Sequence, residues 1–246
     1  MTQSQRVAAT IVTILLVSLG ACRREEGERR QPTQIDPATV GTVSGVVRFD
    51  GPPPSPTVLQ LAAWPECIAQ HGGPIDPGDV LVHGDGKVEN VLVYVKEGLG
   101  GRVFAVPDTP VVIDQKGCVF VPRVAAVQVG QPVRFLNSDP LLHNVHGGGW
   151  NFSLGTIGAS RTTSVPTEEP VIALKCDIHP WMVAYLGVFA HPYFAVTGPD
   201  GRFTLENLPQ GSYVIEAWHE RFGTRTANVS LTAKEAKTVV FTFAAD

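Results

Sequence analysis

Residues 175–182 read KCDIHPWM and place a thiol (Cys176), an imidazole (His179) and a thioether (Met182) within seven positions. In an extended strand alternate side chains share a face, so Ile172, Leu174 and Cys176 of VIALKC point the same way, toward an apolar interior. Pro180 cannot donate to a sheet ladder and disfavours helix at His179, so the strand ends near Cys176. A loop starting at Asp177 then brings His179 and Met182 back toward the sulfur. Thiolate and thioether together with imidazole favour copper, and two imidazoles, one thiolate and a weak axial thioether make the blue-copper set. One histidine is missing from the octapeptide and must come from another part of the sheet. A lone buried Cys or a lone Met is ordinarily packing; the grouping is what points to a metal.

The stretch LNSDPLLHNVHGG (136–148) supplies His143 in the loop after an expected strand at 132–139. Here the chain resembles the cupredoxins, in particular the amicyanin-like and plastocyanin-like members. VGQPVRFLNSDPLLHNV is followed by CDIHPWM, with 33 positions from His143 to Cys176. The resemblance covers roughly Val88 to Ala190. It implies a Greek-key β-sandwich holding one type 1 copper, with His143, Cys176, His179 and Met182 as ligands. It further implies that Asn144 pins the two ligand loops, and that the function is one-electron transfer without catalysis of a bond change. His146 is the competitor for the place of His143, since HNVH could present either ring. In this family the second histidine ligand exposes an edge in an apolar patch, so His179, Pro180, Trp181, Leu141 and Leu142 are expected to surround the docking surface. The Gly-rich HGGGW (146–150) departs from the tighter loops of small cupredoxins. The resemblance gives no catalytic role, because related oxidases and nitrite reductases need further histidine clusters and the chain has no HxH pair.

The elements that must hold these ligands are strands. From Gly41 onward, short Val-, Phe- and Tyr-rich runs alternate with Gly, Pro and Asp turn signals, the pattern of an all-β sandwich. Strands are expected at 42–50, 90–97, 125–129, 132–139, 161–165, 171–176, 184–191, 202–208, 212–220, 227–233 and 237–245. One short helix fits 61–72, confined by Pro65 to its second half. TGPDGRFTLENLPQGSYVIEAWHE resembles the carboxypeptidase-regulatory-like, transthyretin-like β modules, which usually begin with a strand such as VSGVVRFDG. That strand lies far upstream here, so two readings stand. Either 42–50 completes a C-terminal module into which the middle of the chain is inserted, or two β domains follow in series: 41–191 cupredoxin-like (motif core 88–190) and 192–246 regulatory-like.

Residues 1–21 carry one cation, Arg6, no acid, and an apolar run from Val7 to Leu19, the form of a secretory leader. The run is too short for a spanning helix. It ends in LGAC, which resembles a bacterial lipobox with Cys22 as the lipidated residue; a plain secretion signal or an uncleaved anchor are the alternatives. Residues 22–40 are charged and proline-bearing and read as a tether. The expected setting is a bacterial membrane surface, facing the periplasm or the cell exterior. The expected partner is a redox protein such as a cytochrome or a membrane oxidoreductase, whose local concentration a tether raises. With 19 basic against 23 acidic side chains, nucleic acid is excluded as a partner.

In such a compartment three cysteines besides Cys22 are an odd number. Cys67 and Cys118 could form a disulfide and leave Cys176 free, could join His71 in a second metal site, or could remain thiols. His71, His83, His191 and His219 fit no ligand pattern. Two rival functions share the ligand set or lack it: a copper carrier or resistance protein with no redox partner, and a metal-free β-sandwich binding module.

Overall fold

The structure, a computed structural model, describes residues 31–59, 61–71 and 74–245. The expected leader, Cys22 and the first part of the expected tether lie outside these residues. The described chain is all-β apart from one α-helix, Pro65–His71, and a single 3-10 turn. The helix starts on Pro65, whose missing N–H costs nothing at the first helical position.

Two sandwiches are built from interleaved parts of the chain. In the first, one sheet runs in the order Trp150–Leu154, His143–Gly147, Glu169–Lys175, Val183–Phe189, Val124–Gln128. The facing sheet runs Ser160–Thr163, Val133–Asn137, Val111–Gln115, Phe120–Val121. Ile113, Phe135, Val145, Leu174, Leu186, Cys176 and Met182 fill the space between them. In the second, Val40–Asp50 pairs antiparallel with Arg202–Pro209 and parallel with Ala236–Ala244. Its opposing sheet runs Phe194–Val196, Leu92–Glu97, Gly211–His219, Gly223–Leu231, over a core of Val43, Val47, Val93, Val95, Phe203, Ile215 and Phe243.

Strand pairing interleaves the two sandwiches along the chain. The strand at 40–50 belongs with the C-terminal strands, as does Leu92–Glu97, which the sequence reading had placed in the cupredoxin-like part. Residues between Leu92–Glu97 and Phe194–Val196 form the first sandwich as an insert in the second. Val91 to Val95 are all buried. Val91, Val93 and Val95 face the core of the second sandwich, while Leu92 and Tyr94 join Val124 and Phe189 in a third cluster where the sandwiches meet. Gly187 permits that contact, because a Cβ there would stand 2.7 Å from Leu92 Cδ2. Arg123 adds a charged clamp, setting its guanidinium in two contacts on Glu220 and donating to Val183 O at 3.2 Å. The tether also ends sooner than expected: Thr33 N donates to Val103 O at 2.8 Å, and Gln210 N donates to Thr39 O at 2.9 Å.

The GGG run is a hairpin turn. Gly148 and Gly149 take φ of 59° and 78° between strands paired Gly147 to Trp150, as a two-residue type I′ connection demands. His143 is at the opposite end of that strand, so the turn does not close the ligand pocket.

His219, near the junction, is 1% exposed, stacks on Phe222 with centroids 4.2 Å apart, and accepts the Arg221 N–H at 3.2 Å. Burial first, then the Arg123 charge, push its pKa down from 6.5 to about 4. A histidine neutral in the fold and protonated when unfolded contributes stability in full above about 6.5, and the contribution fades as pH falls toward 4. In urea unfolding at pH 7 and pH 4.5, the wild-type protein should lose about 2 kcal/mol more than His219→Gln. Equal losses would show that this ring takes up its proton without unfolding.

Candidate metal centre

Cys176 follows the last residue of Glu169–Lys175 and is 2% exposed, on the same inward face as Ile172 and Leu174. The loop after it closes on itself. Met182 N donates to His179 O at 2.9 Å, a turn with Pro180 at its second position, where the fixed proline φ is favoured. Cys176 N donates to Met182 O at 3.1 Å, so Cys176 and Met182 form the neck of the loop. Met182 is 1% exposed and lies in the same core cluster.

His143 comes from the neighbouring strand. It was expected in a loop, and it opens the strand His143–Gly147 instead, with 0% exposure. Its Nδ1 lies 3.1 Å from His179 Nδ1, and His179 Nδ1 lies 3.7 Å from Cys176 Sγ. One donor atom from each of His143, Cys176 and His179 falls within 4.8 Å of the others. His146 is three positions along the strand on the opposite face, half exposed, with Nδ1 on Asp177 Oδ1 at 2.9 Å. Strand parity therefore separates the two histidines of HNVH.

Asn144 joins the two ligand segments in two ways. Its backbone N–H points at Cys176 Sγ at 3.3 Å, and its Oδ1 accepts the Asp177 N–H at 3.3 Å. Its Nδ2 donates to Asn151 Oδ1 and Phe152 O, at 2.9 and 3.1 Å.

Sequence reasoning missed Asp139. This carboxylate is fully buried and accepts three donors: His143 Nε2–H at 2.9 Å, Gly117 N–H at 2.7 Å and Cys118 N–H at 2.8 Å. By holding the proton on Nε2 it turns the lone pair of Nδ1 toward His179 and Cys176, the orientation a metal-binding imidazole needs. The available signal was an acidic residue four positions before His143. Asn137 steadies the intervening loop, donating from Nδ2 to Leu141 O and Leu154 O at 2.8 and 2.9 Å.

Cys67 and Cys118 are joined in a disulfide closing a separation of 51 residues, which leaves Cys176 as the free cysteine among the described residues. On a chain-entropy basis a loop of that size is worth about 4 kcal/mol. The thiol-based site with His71 is therefore absent, because both sulfurs are bonded to each other and His71 Nδ1 instead meets Gly117 O at 3.1 Å. His83 pairs with Glu89 and His191 with Val95 O. His219 packs against Phe222 and Phe243 of the second sandwich.

The docking expectation needs correction at its centre. Leu142 is 49% exposed, Pro180 is exposed, and Leu141 and Trp181 are half-buried, but His179 is only 5% exposed. Trp181 covers its ring at 5.3 Å between centroids, and Trp64 stands edge-on to Trp181 at 4.9 Å. Trp181 Nε1–H donates to Cys118 O at 2.9 Å. Burial, followed by the neighbouring His143, pushes the His179 pKa down to about 4, with Asp139 acting against that shift. At neutral pH this ring is an uncharged donor.

The class is thus an all-β protein of two interleaved sandwiches, with a buried sulfur and imidazole cluster at one end of the inserted one. Residues 188–244 match the family model of the carboxypeptidase regulatory-like domain. The matched segment holds the C-terminal strands and omits Val40–Asp50 and Leu92–Glu97, which complete their sandwich. No curated protein matches the chain. Among solved structures it is similar to a Cu-containing nitrite reductase from Thermus scotoductus SA-01, at 23% identity over 38% of this chain and 25% of that one, with a TM-score of 0.31. It is also similar to a purple cupredoxin from Nitrosopumilus maritimus, at 24% identity over 33% of this chain and 99% of that one, TM-score 0.29. A reduced amicyanin variant gives 22% identity over 34% and 85%, TM-score 0.29. The chain spans about a quarter of the nitrite reductase chain's length.

Removing the buried carboxylate strands two backbone N–H groups and frees the His143 ring. Asp139→Ala should lower unfolding stability by about 3 kcal/mol. Asp139→Asn should remain folded and weaken metal binding by 10- to 100-fold, the usual effect of losing such a partner. Isothermal titration with Cu(II) on the folded Asn variant checks the second effect; unchanged affinity would remove the orienting role.

Proposed function

We propose that this chain binds one copper ion through His143, Cys176, His179 and the weak donor Met182, and carries single electrons between redox proteins. The observation that supports it best is the gathering of two imidazole Nδ1 atoms and the free cysteine of the described residues at one buried place. The donor set suits the metal: neutral imidazole, thiol sulfur and thioether are soft to intermediate ligands. Bound copper would supply a one-electron couple. The protein's part is to hold the donors before any ion arrives. Asp139 fixes the His143 ring, the Asn144 N–H meets the sulfur, and the turn at Pro180 holds His179 against the neck of its loop. A frame of this kind resists the rearrangement that a change of oxidation state would otherwise drive, which lowers the barrier to electron exchange.

Burial favours this reading over a copper carrier that hands the ion to another protein. Ligand exchange needs an incoming donor to reach the metal, and His143, Cys176, His179 and Met182 are each 5% exposed or less. Electrons cross a packed wall where ligands do not. The proposed setting is a bacterial envelope, with a lipid at Cys22 and a short tether keeping the protein beside a membrane oxidoreductase or a cytochrome. No bond-changing catalysis is assigned.

Purified residues 31–246 with one equivalent of Cu(II) should develop an intense visible thiolate-to-Cu(II) charge-transfer band. Cys176→Ala should lack it, and the band should bleach and return reversibly on reduction and reoxidation. A folded wild-type protein with no such band would end the electron-carrier reading and leave Cu(I) handling or a metal-free module.

A further inference from the structure

Electrons must still pass between a buried site and the surface, and the covered His179 raises the question of where. Two surface approaches exist. One lies over Leu142, which is 49% exposed beside the His143 segment; His143 itself is 0% exposed. The other lies over His179. There the imidazole, the Trp181 indole and the Trp64 indole follow in series, with centroids 5.3 Å and 4.9 Å apart. Both indoles are half-buried, and Ala62, Ala63, Pro65 and Glu66 around Trp64 are exposed. The series therefore runs from a ligand ring to solvent without a gap of aliphatic packing.

It is also held rigidly. The Trp181 Nε1–H is fixed on Cys118 O. Trp64 immediately precedes the helix Pro65–His71, and Cys67 of that helix is bonded to Cys118. A sulfur of each disulfide cysteine lies within 4.8 Å of a His179 nitrogen, so the bridge fastens the helix at the depth of the site. One residue, Cys118, thus touches every part of this wall: its N–H meets Asp139, its O meets Trp181 and its sulfur holds the helix. A segment needed only for packing could have covered His179 with aliphatic side chains.

Resting on the copper reading above, we propose that electrons enter and leave through the Trp181 and Trp64 indoles, with the exit at Trp64 in place of an exposed histidine edge. No bond forms or breaks and no proton moves. The redox partner gains or loses one electron, the site makes the opposite change, and the indoles act as the bridge without being oxidised themselves.

The test places a charge beside each approach on the copper-loaded protein and reads electron exchange with small probes of opposite sign, hexacyanoferrate(III) as oxidant and hexaammineruthenium(II) as reductant. Ala63→Glu should slow the anionic probe and quicken the cationic one, each by about threefold at low ionic strength, with both effects fading in salt. Leu142→Glu should change the same rates less. Trp64→Leu should slow both probes while the visible band and the reduction potential stay at wild-type values, which separates a lost path from a damaged site. The proposal is overturned if Leu142→Glu has the larger effect, or if Trp64→Leu with an intact band leaves both rates unchanged or raises them. A wild-type protein without the band would sink the copper reading itself, and the proposal with it.

Discussion

The Asp139 carboxylate is the contact on which the site depends. A buried carboxylate is tolerated only where its oxygens are satisfied, and here the three donors come from two different parts of the fold: Gly117 and Cys118 from the turn after Val111–Gln115, and His143 from the first ligand strand. Those parts belong to opposite sheets of the inserted sandwich. The carboxylate thus ties the sheets at the end where His143, Cys176 and His179 gather, and by engaging Nε2 of His143 it leaves Nδ1 turned toward His179. Stability and donor orientation come from one group, so neither can be altered alone by removing it.

The second sandwich acts as a base for the first. Inserting a β-sandwich between Leu92–Glu97 and Phe194–Val196 gives it two fixed attachments, because those strands are hydrogen-bonded neighbours. The insert therefore leaves and re-enters its host at one place. Leu92, Tyr94, Val124 and Phe189 then bury the junction, and Arg123 on Glu220 adds a charge pair whose side chains are about a tenth exposed. An ion pair at this depth stabilises more than a surface one only when its geometry is good; the two-point contact of the guanidinium meets that condition.

The grouping of His143, Cys176 and His179 was the most legible part of the sequence, because thiol and imidazole chemistry is carried by residue type and parity along VIALKC already aimed Cys176 inward. The sandwich to which each strand belongs was harder to read. VLVYV has no alternation, and the reason is visible in the fold: odd positions face one core and even positions face the other, so both faces are covered. Read that way, the unbroken apolar run marks a strand between two sandwiches. Val111–Gln115 and the Trp150–Leu154 arm of the GGG hairpin were also missed. In the first, Val112 is exposed while Gln115 is buried, so residue polarity does not follow burial; the second, WNFSL, does alternate apolar inward and polar outward residues, and that signal was present but only five residues long.

What sequence could least reveal was the cover over His179. Each component is ordinary by itself: a tryptophan before a short helix, a cysteine within it, a glycine-flanked cysteine far downstream. Their meaning depends on a bridge between residues 67 and 118, and cysteine pairing follows from three-dimensional proximity, which spacing does not encode. Once the bridge is formed, helix Pro65–His71 lies against the inserted sandwich, Trp64 meets Trp181, and a histidine that the family resemblance put at the surface is buried. The cluster of His143, Cys176 and His179 then lies behind a wall. The disulfide and the two indoles thus close off the side of the cluster on which His179 lies, so that solvent and small molecules do not reach its ring directly.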